Sequence, residues 1–352
     1  MELYTNKLYQ EDLEAVASLV LPWEKLNGKR ILLSGASGLI GSCLVDVLMT
    51  HCRMAKTDQT IYALGRNPEK LYARFSAWRD DPRLRFVTQD INTPMTDDVP
   101  MDADLILHLA SNTHPIQYAT DPVGTIMTNV IGLKNMLDLA VRSGTRRFLF
   151  ASSNEIYGEN RGDIECFHEG YLGYIDCNTL RAGYPESKRC GEALCQAYRR
   201  QYGLDVVIPR FTRSYGPTMI QTDSKAISQF IKKAVAGEEI ILKSAGTQYY
   251  SYTYVMDAVS GLLTVLLCGE DGAAYNIADA GSDIMLKDVA QILAEEAGTH
   301  VVFELPDAVE AAGYSKATKA RLDGSKIKMI GWKPRFEIRE GLQRTVRILR
   351  DM

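Results

Sequence analysis

The sequence lacks the patterns that announce a metal site, a disulfide framework or a membrane span. Its seven cysteines (Cys43, Cys52, Cys166, Cys177, Cys190, Cys195 and Cys268) form no C-x-x-C pair and leave one over. Neither a disulfide scaffold nor a zinc site is expected, and reduced thiols in a cytoplasm are the natural reading. No apolar run reaches spanning length, and Met1–Asn6 lacks the basic segment and apolar core of a leader. Neither sign of charge dominates: 24% of residues are charged and the net charge is -4, so nucleic acid is not an expected partner. Repeats and low-complexity linkers are also missing. What remains is an ordinary globular composition, 46% hydrophobic over 352 residues, enough for a sizeable α/β domain with an added lobe.

The most informative stretch is Arg30–Leu44, RILLSGASGLIGSCL. Apolar, strand-forming residues Ile31, Leu32 and Leu33 run through Ser34 into Gly35, Gly38 and Gly41, and a helical apolar pattern follows. A strand that meets a helix across a glycine turn points backbone N–H groups and the positive end of the helix dipole at a pyrophosphate. Gly35 suits the tight turn, Gly38 the close approach of the diphosphate, and Gly41 the packing of the helix against the sheet. Ser37, Leu39 and Ile40 fall in the same turn as cofactor contacts. The spacing is G-x-x-G-x-x-G.

Ahead of this stretch, residues 1–29 read as an extension with an amphipathic helix over Glu11–Val20. Beyond it, strands are expected at Thr60–Leu64, Leu84–Thr88, Asp104–Leu109, Arg147–Phe150 and Val206–Pro209, alternating with helices. That alternation implies a Rossmann-like, doubly wound parallel sheet over residues 30–215 with ligands at the strands' carboxyl ends. Arg66 stands where NAD-preferring sheets usually carry an acid. It suits the 2′-phosphate of NADP, or is a solvated loop arginine beside bound NAD. Asp90, before Ile91, is placed either to accept from the adenine amino group or to cap a turn. His108 reads as a packed strand histidine. The small residues Leu109-Ala110-Ser111 let a dinucleotide pass, and a helix over Thr125–Ala140 holds Asn129, whose amide must be satisfied near the site. After Gly216 the elements become shorter and mixed: a helix over Ser224–Ala236, strands Ile240–Leu242, Tyr252–Val255 and Ala274–Ile277, and helices near Ala258–Leu267 and Leu286–Ala297. Residues 216–352 are therefore expected to form a smaller substrate lobe, with strand exchange between lobes possible in such folds.

The chemistry gathers at the end of the Arg147–Phe150 strand, in Ser152-Ser153-Asn154-Glu155-Ile156-Tyr157-Gly158, and in Tyr184-Pro185-Glu186-Ser187-Lys188, which leads into a helix over Arg189–Tyr202. Tyr184 and Lys188, four apart, share a helical face. A lysine beside the positive nicotinamide lowers the phenol's pKa, so the tyrosine can act as base on a sugar hydroxyl that Ser153 orients.

In these motifs the chain resembles the extended short-chain dehydrogenase/reductase family, the NAD-dependent nucleotide-sugar epimerases, dehydratases and decarboxylases. The resemblance covers residues 28–350 and rests on Gly35–Gly41, Asp90-Ile91, His108–Ser111, Asn129, Ser153, Tyr157-Gly158, Tyr184–Lys188, Arg210 with Tyr215-Gly216-Pro217, Tyr254-Val255 with Asp257, Leu322-Asp323 and Gly331–Pro334. It implies a tightly bound NAD or NADP that first oxidises the sugar's C4 hydroxyl and later returns the hydride. It also implies a nucleoside-diphosphate sugar as substrate, a homodimer, and cofactor contacts from Ser152, Tyr184 and Lys188. Asn154-Glu155 with Tyr157-Gly158 is similar to the 4,6-dehydratases and UDP-glucuronate decarboxylases, and HLASNTHPIQYATDP with Thr128-Asn129 resembles the decarboxylases. Glu155 would handle the C5 proton once C4 is a ketone; its other reading is a surface carboxylate.

Asn154, Arg213, Lys225 and Tyr250 are the expected substrate contacts, and two of them depart from the family pattern. Tyr250 replaces an arginine that usually meets the diphosphate, and Arg213 replaces an asparagine, so the cation is expected to have moved between segments. Tyrosines 249, 250, 252 and 254 either stack on ligand or pack the strand. The expected activity is a 4,6-dehydratase or decarboxylase. The alternatives are a 4-epimerase, an NADPH-dependent carbonyl reductase, and a non-catalytic nucleotide-binding protein.

Overall fold

The computed structural model describes residues 3–96, 98–113, 118, 120–304 and 318–352. The chain lays down β1 (Arg30–Ser34), β2 (Thr60–Gly65), β3 (Leu84–Thr88), β4 (Leu105–His108), β5 (Arg147–Phe150), β6 (Ser152–Ser153) and β7 (Val206–Phe211). There follow β8 (Arg213–Tyr215), β9 (Ile240–Leu242), β10 (Tyr249–Tyr254), β11 (Ala274–Ile277), β12 (Asp283–Met285), β13 (Val301–Phe303) and β14 (Lys319–Ala320). The main sheet has the order β3-β2-β1-β4-β5-β7-β11, with β6 beside β7. Every pairing in it is parallel, as expected of a doubly wound sheet.

Both faces of that sheet are covered by helices, which is why its strands read as continuous apolar runs. Successive residues of β1 serve opposite faces. Ile31 and Leu33 join one apolar cluster with Leu105, Leu107 and Leu149, whereas Leu32 joins the other with Ile106 and Phe148. The strand order reverses between β1 and β4, so the loops after these two strands open a crevice at their carboxyl ends. The smaller sheet is β12-β10-β14, with β8 on β10, and β13 pairs β9.

Several elements differ from the sequence reading, each for a local reason. The N-terminal helix is Lys7–Ala17 rather than Glu11–Val20, because the Asn6 side chain caps it by accepting from the Tyr9 amide (3.1 Å). The helix expected over Thr125–Ala140 is Pro122–Met127 followed by Leu133–Arg142, joined by a π-helical turn at Thr128–Gly132 that carries Asn129. The helix expected from Arg189 spans Gly183–Tyr202, so Tyr184 and Lys188 sit in its first turns, where Pro185 is tolerated. The β7 strand runs on past Pro209. Its ladder with β5 ends at Val207 and resumes with β6 at Arg210, so the missing proline amide forfeits no bond there. The tyrosine strand is Tyr249–Tyr254, and the following helix, Val255–Cys268, starts three residues early. Chain order and spatial layer part after residue 216, because β11 closes the edge of the main sheet against β7.

The N-terminal extension is bound into the body of the molecule by buried polar contacts. Asp12 accepts from the Tyr254 hydroxyl (2.7 Å) and pairs with Arg344 of the helix Ile338–Arg350 (2.6 Å), tying both chain ends to β10. Asp46, fully buried on the helix Leu39–Ala55, accepts from the Tyr9 hydroxyl (2.7 Å) and the Trp78 indole (2.9 Å) and pairs with Arg74. Removing one member of such a set strands the others without water. Asp46→Ala is therefore expected to lower stability by about 3–5 kcal/mol in denaturant unfolding, and a loss below ~1 kcal/mol would contradict this reading.

Candidate active site

The crevice begins at the turn after β1. Gly35 has φ +74°, and a Cβ there would lie 2.6 Å from the backbone nitrogen of Ala110, so the loops after β1 and β4 touch only because residue 35 has no side chain. The helix Leu39–Ala55 that follows has Gly38 at its N-cap and no side-chain cap bond. Its first amides, beside half-buried Ser37, Leu39 and Ile40, are thus left for an outside acceptor, which fits a dinucleotide diphosphate. The flanking contacts divide. Asp90 caps its own turn, accepting from the Asn92 amide (2.9 Å) with Oδ1. Ile91 is buried, and its carbonyl is taken by Asn135 (2.7 Å). Arg66 is exposed and makes no hydrogen bond or ion pair among the described residues. His108 bonds Ser34 through Nδ1 (2.8 Å), and burial, followed by the Lys188 charge, drives its pKa down to about 3. It is a neutral packing residue. Of the stretch from His108 to Pro122, residues 114–117 and 119 lie outside the described residues.

Tyr184, Lys188, Ser153 and Glu155 come together at the ends of β5 and β6. Lys188 is buried with its ammonium on the Ala151 carbonyl (2.8 Å), 4.9 Å from the Phe150 ring centre and 6.0 Å from that of Tyr184. Burial pushes its pKa down to about 7. The Tyr184 phenol is raised, chiefly by burial and then by the Glu155 charge, while the Ser153 and Ser111 hydroxyls and Arg181 act in the opposite sense. The protein groups around it therefore leave this phenol above its ordinary value. Ser153 caps the turn Asn154–Tyr157, accepting from the Glu155 amide (3.2 Å). Asn129 donates to Ser187 (2.8 Å) and accepts from Ser111 (2.7 Å), while Ser187 donates to the Tyr184 carbonyl (2.8 Å). The loop after β4, with Leu109 and Ala110, is thereby pinned to the helix bearing the tyrosine.

On the substrate side, Arg213 lies with its guanidinium 3.5 Å from the ring centre of Tyr250. The Asn154 amide, oriented by its neighbours, accepts from Arg213 Nη1 (3.1 Å) and donates to the Phe211 carbonyl (3.2 Å). These three residues form one cluster. Lys225 stands apart from it, paired with Asp223 (3.5 Å) at the start of the helix Ala226–Ala236. Among the tyrosines, Tyr252 and Tyr254 are buried in strand packing, and Tyr249 lies under Arg321 (4.7 Å).

Three further residues contribute; Glu192 and Arg181 carry no motif signal, and Tyr118 lies within the HLASNTHPIQYATDP stretch. Glu192 accepts from Ser152 (2.6 Å) and pairs with buried Arg210 (2.6 Å), so the Ser152 hydroxyl faces the protein. Arg181 pairs with Glu155 (2.8 Å), and Tyr118 stacks on Tyr184 with ring centres 4.9 Å apart. Contacts such as these depend on which loops converge, and no spacing encodes that.

The fold and the Ser153, Tyr184 and Lys188 set define a nicotinamide-dependent, doubly wound enzyme class. The profile of the NAD dependent epimerase/dehydratase family matches residues 31–278. UDP-glucuronic acid decarboxylase 3 of Arabidopsis thaliana is 36% identical over 317 residues, 89% of this chain and 86% of the relative. UDP-glucuronic acid decarboxylase 1 of Danio rerio is 32% identical over 322 residues, 90% and 72% of the two chains. Among solved structures, a dTDP-glucose 4,6-dehydratase from Streptomyces venezuelae with NAD bound matches with a TM-score of 0.77 and 28% identity. It covers 92% of this chain and 97% of its own. This chain belongs to the NAD-dependent epimerase/dehydratase family, as its motifs implied. Among the described residues no helix is long and apolar enough to cross a membrane, and no cluster of metal-ligating side chains occurs.

The buried lysine makes stability depend on pH. In protein freed of nucleotide, the folded state sheds the Lys188 proton near pH 7 while the unfolded chain keeps it to 10.5. Wild type is therefore expected to gain stability relative to Lys188→Met as pH rises between those values. Denaturant midpoints measured across the range check this, and a constant difference would contradict it.

Proposed function

We propose that this chain is a nucleotide-sugar lyase working through a 4-keto intermediate, and that the reaction is decarboxylation of a nucleoside-diphosphate uronic acid. The carrying observation is the Arg213 guanidinium stacked on Tyr250, beside Asn154. A cation in contact with residue 250 answers the loss of the usual arginine at that position. The 36% identity to a UDP-glucuronic acid decarboxylase supports the same branch. In this reading Arg213 meets an anionic group of the substrate.

NAD, held at the Gly35–Gly41 turn and beside Lys188, would supply a reversible hydride acceptor for C4. The chain's own residues do the rest. Ser153 orients the C4 hydroxyl, and Tyr184 Oη takes its proton. Lys188 holds its ammonium beside that phenol and contributes to the positive environment a phenolate needs. With C4 a ketone, the C5–C6 bond breaks, carbon dioxide leaves, and the electron pair is held as the C4 enolate. A proton arriving by way of Glu155 restores C5, and Tyr184 returns its proton to the C4 oxygen. A 4,6-dehydratase would use the same groups but lose the C6 hydroxyl as water after Glu155 removes the C5 proton.

NAD is the cofactor of this proposal because the solved relative carries it. Exposed Arg66 supports acceptance of NADP as well. A homodimer is supported by exposed apolar residues Val123, Ile126, Met127 and Ile131 on the Pro122–Arg142 helical segment.

Mass spectrometry of UDP-, dTDP-, GDP- and CDP-sugars incubated with the protein tests the reaction. Loss of carbon dioxide from a uronic acid is expected. Loss of water would make it a dehydratase, an isomer of unchanged mass an epimerase, and steady oxidation of added NADPH a carbonyl reductase. Tyr184→Phe should abolish turnover, by about 100-fold or more, while retaining cofactor; normal turnover rejects its role. Arg213→Ala should raise KM by about tenfold or more, as loss of a charge-assisted contact does, and an unchanged KM rejects the relocated cation.

A further inference from the structure

The helix that carries Tyr184 and Lys188 is preceded by a short turn, Leu180–Ala182, and its Arg181 belongs to no motif. Arg181 Nη2 lies 2.8 Å and 2.9 Å from the two carboxylate oxygens of Glu155. Its guanidinium carbon is 4.7 Å from the centre of the Tyr118 ring, and Tyr118, buried, stacks at 4.9 Å on Tyr184. One cation therefore touches the C5 carboxylate directly and the C4 base through a single ring.

Stability does not account for this arrangement. The two charged side chains are 42% and 28% exposed, and an ion pair so placed is worth only about 0–1 kcal/mol. Its electrostatic setting is more specific. The groups that bear on the Tyr184 phenol are Glu155, Arg181, Ser153 and Ser111, with Tyr118 stacked on its ring and Lys188 6.0 Å from the ring centre. After burial, the Glu155 charge is the largest influence raising the phenol, and Arg181 opposes it. A carboxylate needed for C5 thus stands beside a phenol needed for C4, and the cation between them reconciles the two.

We propose that Arg181 is a positioning residue that couples the two proton-handling groups of this enzyme, anchoring the Glu155 carboxylate and, through Tyr118, the Tyr184 ring. The proposal rests on the roles given to Tyr184 and Glu155 above. It makes the two half-reactions share one side chain: without the cation, Glu155 loses its anchor and its charge bears unopposed on the phenol. The C4 oxidation, which needs that phenol ionised, then moves to higher pH.

The test uses holoenzyme with its bound nicotinamide and three variants. Arg181→Met keeps the bulk, Arg181→Lys keeps the charge, and Tyr118→Leu removes the ring. Turnover of UDP-glucuronic acid is followed between about pH 6 and 9. Arg181→Met is expected to lower kcat about tenfold or more with KM changed less than about threefold, and to shift the rising limb of the pH profile upward; Arg181→Lys should recover most of both. Tyr118→Leu should lower kcat without the pH shift. Unchanged kinetics in Arg181→Met, or a raised KM at constant kcat, overturns the proposal, the second by making Arg181 a substrate contact.

A crystal structure of the Arg181→Met holoenzyme keeps the test independent of the substrate assignment. A displaced Glu155 carboxylate and a turned Tyr118 ring are expected. If both stay in place, the positioning role is overturned even where no sugar in the panel reacts, whereas an inactive wild type with displaced groups in the variant counts against the substrate assignment alone.

Discussion

The interaction on which the site depends is the buried ion pair between Glu192 and Arg210. Glu192 lies one turn beyond Lys188 on the same helix, and Arg210 stands on β7, so their 2.6 Å contact presses the catalytic helix onto the sheet. The remaining donors are used as well. Glu192 accepts from Ser152, next to Ser153, and Arg210 donates to the Tyr157 hydroxyl (2.8 Å) and the Glu169 carbonyl (2.9 Å). Tyr157 in turn donates to Asn276 of β11 (2.7 Å), whose amide reaches the carbonyls of Phe167 and Asp323. A largely buried pair has merit only when its other hydrogen-bonding groups are satisfied, and here the groups joined belong to six separate segments of the chain. The helix with Tyr184, the strand end with Ser153 and the segments at Asn276 and Asp323 are thereby held in one frame.

That frame explains how charge is distributed around the crevice. At the nucleotide end, the glycine turn leaves helix amides without side-chain caps and brings the loops after β1 and β4 into contact. Thr218, beyond β8, donates to the Leu39 carbonyl (2.7 Å), so the segment after β8 is anchored on the same turn. At the sugar end, a lysine is kept in a dry site whose burial alone lowers its pKa, beside a phenol whose burial raises its own. Both shifts disfavour the charged forms. The cations that face outward, Arg181 and Arg213, are each laid on a tyrosine ring, Tyr118 and Tyr250, which directs a flexible side chain without burying its charge.

The parallel sheet was legible because its strands are short apolar runs bounded by turns, and the glycine turn was legible because a backbone close approach demands glycine at fixed offsets. The Tyr184 and Lys188 pair was legible from helical periodicity. The start of their helix was not, because Pro185 and Gly183 argue locally for a loop. Asn129 was readable as a buried amide in need of partners, although the π-helical turn that presents it was not, since that turn is selected by Ser111 and Ser187 from other segments. The N-terminal extension was legible as a helix but not as an anchor, which it becomes through Asp12 and through Tyr9 on Asp46, partners that lie elsewhere in the chain.

By itself, then, the sequence determined the local arrangement: which turn leaves helix amides open after a strand, which helix face pairs a phenol with an amine, and which carboxylate follows Ser153 two residues on. These depend on spacings of a few residues, where backbone geometry leaves little freedom. The tertiary structure decided which charges meet. Arg213 comes to lie on Tyr250 because β8 pairs with β10, and Arg181 comes to lie between Glu155 and Tyr118 because three loops converge over the catalytic helix. Such contacts join residues tens of positions apart, and only the packing of these segments against one another selects them from all the pairs the composition allows.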